Sequence, residues 1–316
     1  MIPEPGASAC TGRPTRRAAL LSALGLILAR KARSAEPARA VLATATPGGG
    51  FPAFGEAFVA AIHTADPTLA IETRNSGGSA ENIGLLRDAR VDLALVQGEY
   101  AYPALSDPRG LTVLAPMYPT PGLFAVPAGS QIRTVADLRG RNVVLGTRKS
   151  GLTVMGRSAL SASGLDPERD IHPILLDRAG DGPNLVRDGQ ADALWGGGLD
   201  WPGFQAMARE PGGARFFGPS EAGIAQLAKP GAAMKRLPVP AGSFPGQAAP
   251  IETGGSGRFG RARPGLDDAL AYRIVRALAR ADLGATQPRN LLGIVPAAWI
   301  NPGTARYLTE AGFSPR

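Results

Sequence analysis

Apolar positions along this chain fall into short blocks that alternate between two periods. Leu42 to Thr46 forms a strand-like block, and Pro47, Gly48, Gly49 and Gly50 close it with a turn. Phe51, Phe54, Phe58 and Ile62 then recur at spacings of three and four, which predicts one buried helix face ending at Asp66 and Pro67. Leu69 to Glu72 returns to strand, Asn75 to Ser79 is a second polar turn, Ile83, Leu85 and Leu86 mark a helix, and Val91 to Val96 reads as a fully buried strand. Strand, glycine turn, helix, strand has thus occurred twice. That order predicts a parallel sheet covered by helices, with turns at the strand C-terminal ends open to a ligand.

The pattern restarts near Val126. A short helix is expected at Thr134 to Arg139, a strand at Asn142 to Leu145, a glycine-bounded turn at Gly146 to Gly151 and a helix through Leu160. Strands follow at Ile171 to Leu176 and Ala191 to Trp195, and Leu270, Ile274, Val275 and Leu278 align on a helix over Leu266 to Ala281. Between Pro202 and Pro264 glycine and proline interrupt any period. Leu85, Arg87, Asp88 and Asp92 are echoed by Leu185, Arg187, Asp188 and Asp192, in each case where a helix ends and a strand begins, which points to two similar units.

The first 40 residues differ in kind. Arg16 and Arg17 precede an apolar run from Ala18 to Ala29, and bases and small residues follow up to Ala40. A run of 12 residues is short of the about 20 needed to span a bilayer. The segment reads as a twin-arginine export signal over residues 1–40, cleaved after Ala40 or, in a second placement, after Ser34 or Ala35. It carries seven bases against two acids, and so five of the eight net positive charges. The small remaining excess argues for neither nucleic-acid nor membrane-surface binding. With 44% hydrophobic residues the chain has ample core for two units.

Candidate chemistry narrows the function classes. One cysteine and two histidines exclude thiolate zinc sites, disulfide frameworks and most multi-histidine metal centres. Gly146 to Thr153 has the glycine spacing of a phosphate loop, but Leu152 stands where the lysine belongs, which removes nucleotide hydrolysis and leaves anion binding at a helix N-terminus, with Arg148 or Lys149 adding charge. Glycine pairs at Gly48/Gly50 and Gly196/Gly198 lack the third glycine of a dinucleotide fingerprint. Gly254 to Gly257 approaches a serine elbow, but Arg258 stands where its last glycine should be. His63 and His172 read as surface or structural residues, Asp92 and Asp192 as strand-start residues bonding local backbone, Ser79 as a helix N-cap and Glu99 as a pocket candidate. Trp195 and Trp201 are candidates for an aromatic cleft wall. No catalytic residue, metal or cofactor is expected.

Six motifs occur together in order: ATPGGGFP at 45–52, SGGSAEN at 76–82, VDLALVQ at 91–97, VADLRG at 135–140, AGSFPGQ at 241–247 and NPGTARYL at 301–308. Over residues 41–316 the chain resembles the TAXI family of solute-binding subunits of tripartite ATP-independent periplasmic (TRAP) transporters. That resemblance implies an α/β, two-lobed type II periplasmic binding protein fold, each lobe a mostly parallel sheet flanked by helices. Lobe 1 would comprise 41–124 and 249–316, and lobe 2 would comprise 125–248. It further implies a monomeric periplasmic receptor that holds a small organic anion, a glutamate-like amino acid or a carboxylate, and delivers it to membrane permease subunits. Carried over residue by residue, the lobe 1 contacts are Thr46, Gly49, Phe51, Gly78, Ser79, Asn82 and Gln97. Those of lobe 2 are Lys149, Ser150, Gly151, Thr153, Gly197, Gly198 and Trp201, with Tyr118 near the hinge. Pro47, Arg148 and Lys149 depart from the family pattern, and Thr253 to Pro264 replaces an apolar strand returning to lobe 1, so the second crossover is expected to be incomplete or altered. A periplasmic sensor or scaffold with a degenerate pocket, and a secreted cofactor-bearing enzyme, are the other readings.

Overall fold

A computed structural model describes residues 37–105, 110–229, 232–281 and 283–313; the first 36 residues of the leader expected over 1–40 lie outside them. The first sheet runs in the order β2 (Leu69–Arg74), β1 (Ala38–Ala43), β3 (Leu93–Gln97), β12 (Arg258–Ala262), β4 (Thr112–Pro116). Strands β1, β2 and β3 are parallel, and β12 lies antiparallel between β3 and β4. Residues of alternate parity along the buried strands feed two cores, as a pleated sheet covered on both faces requires. Leu42, Leu93 and Leu95 meet Phe58 and Ile62 of α1 (Gly50–Ala65) and Ile274 and Leu278 of α8 (Asp268–Ala281). Ala43, Ala94 and Val96 meet Ile83 and Leu86 of α2 (Ser79–Arg87) and Leu308 of α9 (Pro302–Glu310).

The second sheet contains β5 (Thr120–Pro127), β6 (Asn142–Thr147), β7 (His172–Leu176), β8 (Ala193–Gly197), β9 (Ala214–Phe217), β10 (Met234–Arg236) and β11 (Gly254–Ser256). Here β6 pairs in parallel with β7 and β8, while β5 is antiparallel to β8, β9 and β11. Helix α4 (Gly151–Ala162) covers one face through Met155 and Leu160, and α5 (Gly182–Arg187) and α6 (Pro202–Arg209) cover the other through Val186 and Phe204. The predicted helix at Thr134 to Arg139 is a single 3-10 turn, Val135–Leu138.

The internal echo is structural. Asp92 and Asp192 play one role in the two sheets: the Asp92 carboxylate accepts from Val41 N–H at 2.9 Å, and that of Asp192 from Asn142 N–H at 2.8 Å. Each helix before them ends in a left-handed residue, Ala89 at φ 52° and Gly189 at φ 71°.

The chain crosses between sheets at Met117–Pro119 and at Gly257, whereas the sequence division set these points at 124/125 and 248/249. Strand β1 also starts at Ala38, so Ala38 to Ala40, assigned to the leader by cleavage after Ala40, pair with Leu69 to Ile71. The Thr253 to Pro264 stretch does form the second crossover, as β11 and β12, although it lacks an apolar run. Gly255 fits where a Cβ would collide with Thr120 O, which explains that glycine. Arg261 is fully buried because its guanidinium donates to the carbonyls of Thr112 (3.0 Å), Ala101 (2.9 Å) and Leu111 (2.9 Å), and burial pulls its pKa down to about 10. Arg263 pairs with Asp92 at 2.9 Å.

Ala89 is the one non-glycine residue with positive φ among the described residues. A left-handed alanine costs about 1–2 kcal/mol, and glycine's extra freedom in the unfolded chain takes back about 0.4–1 kcal/mol. Ala89→Gly should therefore raise stability by up to about 1 kcal/mol in urea unfolding; a loss would show that the helix end is not strained.

Candidate functional site

The C-terminal ends of the parallel strands in both sheets face one another, and the turns after them enclose a cavity of about 60 Å³. A volume of that size holds a few waters or a small ligand head group. Backbone meets backbone across it. Pro47 O accepts from Gly180 N–H at 3.3 Å, Thr46 Oγ1 from Ala179 N–H at 3.2 Å, Gly48 O from Trp201 Nε1–H at 3.2 Å, and Lys149 O from Ala80 N–H at 3.1 Å. Glycine is required at this seam: a Cβ on Gly48 would strike Gly180 Cα, and one on Gly151 would stand 2.8 Å from Gln97 Cβ. The two lobes are closed on each other.

Of the residues carried over from the resemblance, Thr46, Gly49, Phe51, Gly78, Ser79, Gln97, Ser150 and Trp201 line this cavity. Others brace it. Asn82 is buried, its amide donating to Thr44 O at 2.7 Å and Leu95 O at 2.8 Å, which ties β1 to β3. Thr153 Oγ1 donates to Leu145 O and Thr147 O, and Gly151 presses on Gln97. Gly197 and Tyr118 line a neighbouring cavity of about 410 Å³, which shares Gly50 and Trp201 with the first, and Gly198 packs on the Tyr118 ring.

Two assignments change. Ser79 is not an N-cap: Gly78 holds that position, and Ser79 Oγ accepts from Gln97 N–H at 3.1 Å. Lys149 does not point its charge into the cavity. Its ammonium donates to Glu81 at 2.7 Å across the rim, and this bond holds the Glu81 carboxyl below its ordinary value. The α4 N-terminus behind it is already capped, since Ser150 Oγ accepts from Leu152 N–H at 3.1 Å.

The residue that sequence reading passed over is Arg258. It stands at the start of β12 beside the second crossing, 2% exposed, and is the single charged side chain lining the cavity among the described residues. One guanidinium nitrogen donates to Tyr118 OH and another to Gly197 O at 3.4 Å, while Nε is buried with no partner. The guanidinium lies 5.1 Å from the Phe51 ring centre and 4.7 Å from that of Tyr118. No carboxylate pairs with it among the described residues. In the sequence it figured only as the residue that breaks a serine elbow.

Behind the cavity Gln97 donates to Ser256 Oγ at 3.4 Å, and Ser256 donates to Glu99 at 3.0 Å. Glu99 is the pocket candidate named from sequence, but it faces a separate cavity with Val154 and Met234. Burial pushes its carboxyl above the ordinary value, and its second oxygen is unpartnered.

Two α/β lobes joined by paired crossing strands, with a cleft at the strand ends, define the two-lobed binding-protein class. The chain belongs to the NMT1-like family, whose pattern matches residues 42–312. Its fold is shared with the alkanesulfonate-binding protein SsuA of Xanthomonas axonopodis pv. citri (19% identity, 89% of this chain and 82% of that one, TM-score 0.51). It is also similar to the periplasmic aliphatic sulphonate binding protein SsuA of Escherichia coli (18%, 88% and 84%, TM-score 0.51) and to a periplasmic transporter (15%, 89% and 90%, TM-score 0.54).

Lys149 and Glu81 are partly exposed, and such pairs contribute about 0.2–1 kcal/mol. Lys149→Ala should shift the balance of closed and open forms by no more than about fivefold in X-ray scattering, an effect that added salt reproduces. A shift of about a hundredfold would make Lys149 the main clamp. Glu99 gives a pH signature. From its ordinary value of 4.5 up to its raised value in the fold, the folded protein keeps a proton that the unfolded chain has lost, so stability falls as pH rises through that window. Glu99→Gln removes this slope, and urea unfolding across the window should show the wild type losing ground to the variant; parallel slopes would mean an ionised, stabilised Glu99.

Proposed function

We propose that this chain is an extracytoplasmic solute receptor that closes its two lobes on a small organic anion and presents the closed form to membrane permease subunits of the TRAP type. The observation that carries the reading is Arg258: a buried guanidinium lining the cleft that forms no salt bridge among the described residues, the acid within its electrostatic reach, Glu99, being itself buried in a separate cavity. A desolvated cation with unused donors is costly, and a charge-assisted, two-pronged contact to an anion offsets that cost. The cleft lining supplies no base and nucleophile pair, which favours binding over turnover. Closure by hinge motion at Met117–Pro119 and Gly257 would convert ligand capture into a shape a permease can recognise. The TAXI resemblance and the twin-arginine leader belong to this reading. Since β1 uses Ala38 to Ala40, cleavage after Ser34 or Ala35 keeps the strand whole.

The small volume of the closed cleft also suits the second reading, a sensor or scaffold that signals through a partner protein. Thermal unfolding of the exported protein against carboxylates, sulfonates and amino acids separates the two. At a free ligand concentration about 100 times Kd, stabilisation of about 2.7 kcal/mol is expected from at least one anion. Arg258→Met should abolish that shift; stability indifferent to every anion would favour the scaffold.

A further inference from the structure

Glu99 is a lobe 1 side chain walled in by lobe 2. It stands in the first turn of α3 (Gly98–Leu105), and the cavity of about 590 Å³ that it lines is otherwise formed by α4, α7 (Glu221–Leu227) and residues 232–234 at the start of β10. No other residue of that wall comes from lobe 1. The carboxylate is also connected to the cleft. Gln97, which lines the cleft, donates to Ser256 Oγ at 3.4 Å, and Ser256, directly before the crossing at Gly257, donates to Glu99 Oε2 at 3.0 Å. The other oxygen, Oε1, is buried without a partner.

The charged and titratable groups around Glu99 come from three elements. Arg258 on β12 attracts the ionised form, Tyr102 shares the helix, and Arg157 on α4 lines the same cavity but is paired with Glu168. The other polar neighbours, Gln97, Ser256 and Gln226, carry no charge. Burial outweighs Arg258 and holds the carboxyl above its ordinary value.

We propose that Glu99 is a proton-operated catch on lobe closure: its neutral carboxyl lets α4, α7 and β10 seat over it, and its ionised form favours the open arrangement. This goes beyond the receptor reading and needs no ligand, so either can fail without the other. An ionised carboxylate with one oxygen unpaired is costly in such a place, and a neutral carboxyl is far less so. Opening takes the lobe 2 wall away and returns water to the group, which removes that cost. The closed form therefore binds the proton more tightly than the open one, and each favours the other. Between the ordinary value of 4.5 and the raised value, the ratio of closed to open protein falls as pH rises, by up to about tenfold per pH unit, and it is flat on either side. Glu81 at the rim is held below its ordinary value, so its bond to Lys149 stays charged across that window.

X-ray scattering of the exported protein, without ligand, tests this across the window. A locked variant supplies the closed reference. A Cβ on Gly77 would stand 3.5 Å from Lys149 Cβ, within disulfide reach, so Gly77→Cys with Lys149→Cys joins the lobes, and the one native cysteine, Cys10, falls in the expected leader. Wild type is expected to approach the locked curve in acid and to depart from it as pH rises. Glu99→Gln, which is neutral at every pH, is expected to lose that dependence. If this variant does not fold, Ser256→Ala, which removes a donor to the carboxylate, should make the fall continue to higher pH. A balance of forms indifferent to pH in the wild type, a slope that survives in Glu99→Gln, or a Ser256→Ala profile that coincides with the wild type would overturn the catch.

Discussion

The arrangement depends on one desolvated cation at the place where the chain changes lobes. Arg258 lies in β12 one residue past the second crossing, its carbonyl accepts Met117 N–H of the first crossing at 2.8 Å, and its guanidinium reaches Tyr118 and Gly197. One residue thus ties together both crossings and touches the second lobe. Its neighbour Gly257 accepts Gly98 N–H at 2.8 Å, which fixes the end of β3 to the same point. A charge removed from water with an unused N–H is a standing cost to the closed form. The aromatic faces of Phe51 and Tyr118 offset part of it, since a guanidinium over a ring is attracted by its quadrupole.

Three arginines in six residues, two in β12 and Arg263 just after it, have three different environments, and that is why the strand was hard to read. Arg258 faces the cleft, Arg261 is buried against three carbonyls, and Arg263 sits on Asp92. Alternation along a strand puts Phe259 and Arg261 on one face, and only tertiary carbonyl partners make an arginine there tolerable. Hydropathy carries no trace of such partners. The rest of the first lobe was legible because helix and strand periods there follow burial closely: Phe51, Phe58 and Ile62 are buried as the spacing required. The second lobe from Pro202 onward was not, because its elements are short and its glycines serve close packing. Gly196 and Gly203 leave room for Trp201, and Gly122 and Gly156 leave room for Trp195.

The site was legible as a set of turns and illegible as a set of side-chain roles. Two of the glycine turns named at strand ends lie at the seam, since the lobes meet through Gly48 and Gly151; Gly180, which packs on Gly48, belonged to no such turn. What spacing could not supply was the partner across it. Glu81 is 68 residues from Lys149, and this long-range pairing turns an expected ligand contact into a rim latch. Similarly, Asn82 looked like a contact within its motif and is a brace, because β1 and β3 both present a carbonyl to its amide.

These placements give the closure a direction. The seam is held by neutral hydrogen bonds, backbone and side-chain, each contributing about 0.5–1.5 kcal/mol net, and by one partly exposed ion pair. Against them stands the desolvation of Arg258, which deepens as the second lobe approaches through Gly197. The two contributions oppose each other, and a ligand shifts the balance toward closure only by its differential affinity for the closed form. In the proposed reading, an anion bound at Arg258 would cancel the opposing contribution and leave the seam bonds untouched. On that reading the ligand would not need to pull the lobes together with contacts of its own; neutralising a cation that already reaches Gly197 across the cleft would be enough to favour the closed form.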